Sequence, residues 1–137
     1  MSSYTIPNNI KSRFESLGVL AVYLFGSSAE NTASSLSDID IGIVFEDESV
    51  IEGNTNTVYN KIYDIITDVF PEKTIDIVFL QRAGLEIAMD ALQHGTVLFE
   101  SSRDKRLDYE EKVMVLYADF KPILSMFDRA IIERISP

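Results

Sequence analysis

The fold is decided by Leu24-Phe25-Gly26-Ser27-Ser28 and, after a polar loop, by Ser37-Asp38-Ile39-Asp40-Ile41. The apolar run from Leu20 to Phe25 predicts a buried strand, and the glycine and serine that follow it permit a tight turn with exposed backbone. The stretch from Asp38 to Phe45, in which Ile39, Ile41 and Ile43 recur at every second position, predicts another strand. The sequence therefore places two buried strands on either side of a glycine turn and a polar loop.

Three aspartates lie in the predicted strands. Asp38 and Asp40 are two residues apart, and the alternation of side chains along a strand places both carboxylates on one face. Asp76 lies in a third predicted strand, Thr74 to Leu80, and should point away from the face that its isoleucine neighbours bury. If this strand pairs with the second, the three carboxylates converge and repel one another unless cations lie between them. Such a cluster suits Mg²⁺ and can hold two ions that serve transfer from a triphosphate.

The turn formed by Gly26 and Ser27 predicts a phosphate-binding site beside these carboxylates. Backbone N–H groups at the start of a helix, together with the Ser27 hydroxyl, can bind phosphate oxygens, and Gly26 leaves room for their approach. Ser27 and Glu30 also match a capping box, which predicts a short helix and would by itself explain the serine. The two roles are compatible because both use the same helix terminus.

Composition and charge limit the classes of function. A chain of 137 residues should form one domain, residues 1–137. Lys and Arg number 12 and Asp and Glu 22, so the net charge is 12 − 22 = −10, which argues against direct contact with nucleic acid. The lack of cysteine excludes disulfides and thiolate zinc sites. No signal peptide or membrane span is recognisable in the sequence, so we expect a cytoplasmic location.

The remaining patterns complete an α/β (α+β) domain with a single mixed sheet of about four to five strands flanked by helices. Glu46 to Thr57 is acidic and polar, which predicts a surface loop. A fourth strand is predicted over Thr96 to Glu100. A long C-terminal helix is predicted over about 105–135, kinked or divided at Pro122. The only histidine, His94, ends a predicted helix, where its interaction with the helix dipole favours a structural role.

The spacing of these motifs resembles that of a known superfamily. Gly26-Ser27, ten intervening residues, Asp38-Ile39-Asp40 and a later strand aspartate, Asp76, are similar to the motif of the polymerase-β-like nucleotidyltransferases. The short chain resembles their minimal nucleotidyltransferase (MNT) branch, the MntA-like antitoxins that are encoded beside HEPN-domain toxins. The resemblance implies the nucleotidyltransferase fold and transfer of AMP from ATP, with two Mg²⁺ ions, to a tyrosine hydroxyl of the toxin.

The resemblance also implies roles for individual residues. Asp38 and Asp40 would ligate metal, and Asp76 would both ligate metal and act as the base on the acceptor hydroxyl. Gly26 and Ser27 would hold the triphosphate of the nucleotide. Many relatives have a basic residue and a glycine soon after the turn, whereas this chain has Glu30-Asn31, and a carboxylate there should weaken triphosphate binding.

Two other functions fit the same residues. One is an antitoxin that neutralises its toxin by contact without catalysis, and the other is a nucleotidyltransferase with a small-molecule acceptor. The clustered aspartates favour catalysis over mere binding, because clustered like charge gives a binding protein no advantage. The short chain leaves little room for a second domain that would bind a small acceptor.

The C-terminal helix has more apolar residues than docking on the domain requires. One stripe would pack on the domain: Val113, Tyr117, Phe120, Leu124, Phe127 and Ile131. Four further apolar residues lie off that stripe: Met114, Ile123, Met126 and Ile132. We therefore hypothesise that this helix contributes to the toxin interface, and the net charge of −10 fits a basic partner. A wider core contact or a homodimer would account for the same pattern.

Overall fold

The computed structural model describes residues 6–26 and 38–135, and beyond residue 123 it describes only one side chain, that of Met126. Ser27, the capping box that reaches Glu30 and the polar loop to Ser37 lie outside the described residues. In chain order the elements are α1 (Asn8–Ser16), β1 (Val19–Phe25), β2 (Ile39–Phe45), α2 (Ser49–Gly53), α3 (Thr55–Val69), β3 (Ile75–Phe79), α4 (Leu85–His94), β4 (Thr96–Glu100) and α5 (Arg103–Ile135).

The four strands form one mixed sheet in the order β3-β2-β1-β4. β1 pairs antiparallel with both β2 and β4, whereas β2 pairs parallel with β3. All seven residues of β1 are buried, as expected for a continuous apolar run in a strand that is covered on both faces. The predicted α/β (α+β) class, with a single mixed sheet flanked by helices and a long C-terminal helix, is confirmed.

Each face of the sheet has its own hydrophobic core. The larger core joins one face to α1, α2 and α3 through residues such as Phe14, Ile41 and Ile62. The smaller core lies on the opposite face, where Tyr23, Val44 and other sheet residues pack with Ala91 of α4 and Tyr109 of α5. Asp40 and Val44 are four residues apart in β2 and therefore share this second face. The aspartates predicted to form the site thus lie on the face that α4 and α5 cover.

The structure corrects two expectations of local structure. Glu46 to Thr57 is not a loop, because it contains α2 and the first turn of α3. The Asp47 carboxylate accepts the backbone N–H of Ser49, and burial of Ile51 in the larger core stabilises this short helix. Of the two alternatives predicted at Pro122, a division of the last helix is wrong, since α5 is continuous from Arg103 to Ile135 although the proline removes one backbone donor, and a kink stays a prediction.

The predicted docking stripe of α5 is correct only near its start. Val113 is buried and Tyr117 is half-buried, but Phe120, expected in the stripe, is 40% exposed. The side chains of Leu124, Phe127 and Ile131 lie outside the described residues.

In the part of the chain that the structure describes, no helix is long and apolar enough to cross a membrane.

A polar network attaches the start of α5 to the sheet. The Tyr23 hydroxyl donates to Glu110 (2.7 Å), and the Arg106 guanidinium donates to both Glu110 (2.6 Å) and Glu100 (2.5 Å). Burial and the hydrogen bond to Glu110 raise the pKa of Tyr23 above its ordinary value. Burial alone would lower the pKa of Arg106, but its bonds to the two glutamates outweigh that effect and raise it. Arg106 therefore compensates two carboxylates that are partly removed from water, since the side chain of Glu110 is 14% exposed and that of Glu100 is 33% exposed.

We predict that Arg106→Met lowers the free energy of unfolding by about 3 kcal/mol, because it leaves Glu100 and Glu110 without their cation. Arg103→Met, at an exposed position of the same helix, is the matched control and should change stability by less than about 0.5 kcal/mol. Urea denaturation of both variants measures the difference. Equal effects of the two substitutions would show that the network contributes nothing specific to stability.

Candidate active site

Asp40 and Asp76 are neighbours across the sheet. In the parallel pairing of β2 and β3, Asp40 stands opposite Asp76, and the flanking isoleucines of the two strands also pair. Ile75 and Ile77 are buried while Asp76 is exposed, so the prediction that Asp76 points away from the buried face is confirmed. The convergence of the aspartates depended on the third strand lying beside the second, and the strand order meets that condition.

Asp38 precedes β2 and is exposed to solvent. Its charge reaches Asp40: burial raises the pKa of Asp40, and the negative charges of Asp76, Asp38 and Asp90 raise it further. The ionised form of Asp40 is thus destabilised by its surroundings, whereas a bound cation would stabilise that form. All three sequence-predicted aspartates therefore lie at one end of the strands, where β1 ends and where β2 and β3 begin. We call this end of the strands the edge that holds the aspartates.

Gly26 lies directly against Asp40. Phe25, the last residue of β1, pairs with Asp40, and the chain then turns at Gly26 with a φ of +77°. A Cβ atom at this position would collide with Oδ2 of Asp40 and would lie 3.1 Å from its Cγ. A glycine is therefore needed here for its left-handed backbone and because the carboxylate occupies the space of a side chain. Ser27, the predicted partner in phosphate binding, lies outside the described residues.

The donor chemistry of this edge fits a hard divalent cation, since Asp38, Asp40 and Asp76 offer only carboxylate oxygens. The side chains themselves, however, do not form a complete set of metal ligands. Within residues 6–26 and 38–135, no three His, Asp or Glu side chains converge closely enough to hold a metal ion. The fold thus brings the acidic residues to one edge but does not gather the described ones into a finished metal cage.

Two further residues lie near this edge: Asp90, which no sequence pattern indicated, and His94, for which the sequence predicted a structural role. Asp90 of α4 is close enough for its charge to act on Asp40, and its Oδ1 lies 2.9 Å from Nδ1 of His94. Their spacing of four residues in a helix predicts contact between the two side chains. Nothing in the sequence, however, indicates that the end of α4 packs beside the aspartates. His94 was predicted to be structural, and its position at the helix end is as expected.

Comparison with known proteins identifies the family. The family model described as "Polymerase beta, Nucleotidyltransferase" matches residues 8–104. No curated protein gave a significant match to the sequence.

Several solved structures have a similar fold. A chain of a mutant MntA-HpeT toxin-antitoxin is 21% identical with a TM-score of 0.63, covering 93% of this chain and 95% of that one. A chain of a toxin-antitoxin crystallised with AMP-PNP is 22% identical with a TM-score of 0.60, covering 93% and 96%.

A third similar structure is from Shewanella oneidensis, a tri-AMPylated HEPN toxin in complex with its MNT antitoxin; the matched chain is 20% identical with a TM-score of 0.56, and the alignment covers 93% of both chains. At these identities the likeness establishes a shared fold. The family model, in contrast, spans well over half of the sequence, and it includes β1, the glycine turn and all three aspartates. The chain therefore belongs to the polymerase β nucleotidyltransferase family.

Proposed function

We propose that this protein is the antitoxin of a HEPN/MNT-type module and transfers AMP from ATP to a tyrosine hydroxyl of its partner toxin. The observation that carries the proposal is the placement of Asp40 opposite Asp76 and against the Gly26 turn. Family membership supports nucleotidyl transfer as the reaction class. The AMPylated toxin in the Shewanella oneidensis complex, which shares the fold, supports a protein acceptor.

The reaction assigns different tasks to the two sides of Asp40. The acceptor oxygen attacks the α-phosphorus of ATP, a new O–P bond forms, and the bond to the β-phosphate breaks to release pyrophosphate. Asp76 takes the proton of the hydroxyl, and the turn at Gly26 and Ser27 holds the triphosphate through backbone N–H groups. Asp38, Asp40 and Asp76 would hold two Mg²⁺ ions, which when bound neutralise charge on the phosphates and on the attacking oxygen.

The exposed apolar surface of α5 favours a protein acceptor over a small molecule. From Val113 to Phe127 the sequence contains only two charged residues, Asp119 and Lys121. Exposed side chains in this segment include Met114, Val115, Leu116, Phe120, Ile123 and Met126, and Met126 is 69% exposed. A helix that is apolar on several sides is normally covered by other protein. We therefore take these exposed apolar side chains of α5, from Met114 to Met126, as the toxin-docking surface.

A catalytically silent antitoxin that acts by contact is the second candidate. It is favoured by one observation, namely that the described carboxylates do not gather into a metal cage. Against it, Asp40 and Asp76 stand side by side although their repulsion destabilises the ionised Asp40, and a pure binding protein gains nothing from that placement. Labelling of the partner separates the two candidates directly.

We predict that Asp38→Asn, Asp40→Asn and Asp76→Asn each reduce transfer by a factor of about 100 or more while the fold is retained. Each substitution removes a charge required at the site and also relieves repulsion among the aspartates. The measurement is label from ATP carrying a radioactive α-phosphate, with Mg²⁺, on the co-purified partner. Asp64→Asn, at an exposed position of α3 on the other face, is the control and should label normally. Undiminished labelling by all three site variants would remove the aspartates from the mechanism.

Gly26→Ala and Gly18→Ala form a matched pair, because both glycines have a φ of +77°. Either substitution should lower the free energy of unfolding by about 1 kcal/mol through left-handed strain. At Gly18 the nearest atom to the new Cβ is Cγ2 of Val50 at 3.9 Å, whereas at Gly26 the Cβ displaces the Asp40 carboxylate. Calorimetry with AMP-PNP and Mg²⁺ should therefore show weakened binding for Gly26→Ala only. If the two variants bind AMP-PNP equally well, Gly26 is not part of the nucleotide site.

We predict that Ile123→Glu combined with Met126→Glu abolishes toxin binding, because two carboxylates are placed in the apolar docking surface. Lys112→Glu is the control, since it changes the net charge by the same −2 at an exposed position of the same helix that lies outside the docking surface. Co-purification with the toxin, with circular dichroism to check folding and size-exclusion chromatography to check for dimers, gives the result. Retained toxin binding by a folded double variant would exclude this surface as the interface.

A further inference from the structure

The end of α4 lies beside the nucleotide-binding side of the candidate active site. Leu24 pairs with Thr96, the first residue of β4, so the chain just before β4 lies level with Phe25 and Gly26. The backbone there is in close contact: a Cβ built on Gly95 would lie 2.9 Å from the carbonyl oxygen of Leu24 and 3.2 Å from Cβ of Phe25. Since Phe25 pairs with Asp40, the last turn of α4 reaches the edge that holds the aspartates.

This last turn carries a carboxylate–imidazole pair. Oδ1 of Asp90 lies 2.9 Å from Nδ1 of His94, and about half of each side chain is exposed to solvent. A carboxylate that accepts a hydrogen bond from Nδ1–H fixes the orientation of the imidazole ring and leaves Nε2 for another partner. In the imidazolium form Nε2 carries a second N–H, which is a strong donor to a phosphate oxygen.

We propose that His94, oriented by Asp90, binds a phosphate of the nucleotide on the Gly26 side of the site. The inference rests on the nucleotidyl transfer proposed above and adds a cationic residue to a site whose other named side chains are acidic. The position of His94 follows from the strand order. Asp76 lies on one side of Asp40, whereas Gly26 and the end of α4 both lie on the other side. The Asp76 side serves the acceptor hydroxyl, so the His94 side faces the triphosphate.

A positively charged hydrogen-bond donor would strengthen nucleotide binding at this site. A triphosphate is strongly anionic, and Asp38, Asp40, Asp76 and Asp90 all act electrostatically on this edge. Without a cation beside it, Asp90 would repel the phosphates. In its imidazolium form, His94 balances the charge of Asp90 and still presents an N–H group to a phosphate. His94 is thus a binding residue, and Asp90 is a positioning residue that acts through it.

The test measures binding of AMP-PNP, with Mg²⁺, to the wild-type protein and to His94→Ala by calorimetry. We expect the Kd of His94→Ala to rise about 10-fold to 100-fold, the effect of one charged hydrogen bond. The loss should be smaller for AMP, which lacks the β- and γ-phosphates. Arg13→Ala is the matched control, because Arg13 forms an equally exposed ion pair with Asp68 on the other face of the sheet. Its Kd should equal that of the wild type.

The double variant Asp90→Asn with His94→Ala separates contact from simple charge neutralisation. If His94 only masked the charge of Asp90, removing both residues would restore wild-type affinity, and that result would overturn the proposal. If His94 contacts a phosphate, the double variant stays weak. If His94→Ala binds AMP-PNP as tightly as the wild-type protein does, the proposed role of His94 is overturned, but the proposed nucleotidyl transfer is not. Failure of the wild-type protein to bind AMP-PNP would overturn the nucleotidyl transfer and this inference together.

Discussion

The parallel pairing of β2 with β3 is the constraint on which the rest of the site depends. Burial of the isoleucines on either side of Asp40 and Asp76 fixes the register, since a slip by one residue would move these side chains to the opposite face. The same register forces two carboxylates into adjacent positions. Hydrophobic burial on one face therefore supplies the free energy that holds like charges together on the other.

The face that carries the aspartates is built by close backbone contacts that only glycine permits. Gly26 lets the turn after β1 lie against the Asp40 carboxylate, and Gly95 lets the end of α4 pack on β1. Both contacts occur at the C-terminal end of β1. As a result, groups from β1, β2, β3 and α4 meet at one edge, which is how a domain of this size can combine acidic side chains, a glycine turn and a carboxylate–imidazole pair.

The helix α5 has two parts with different physical roles. Its first turns are fixed to the sheet by the network of Arg106 with Glu100 and Glu110, and by the burial of Val113. The described side chains that follow are nearly all exposed, although most of them are apolar. This division leaves a largely apolar helical surface attached to the domain, which suits contact with another protein better than stability of the isolated chain.

Local sequence patterns determined the strands, the glycine turn and the face on which Asp76 lies, because alternation and continuous apolar runs depend on neighbouring residues alone. Composition determined the net charge, and the family resemblance carried by the spacing of Gly26, Asp38 and Asp40 indicated the reaction class. Tertiary structure alone decided that β3 lies beside β2, that Asp40 fills the space against Gly26, and that Asp90 and His94 reach the same edge. It also decided that Phe120 faces solvent instead of the domain. The reason is that strand order and helix docking depend on packing between residues far apart in the chain, which periodicity within one segment does not encode.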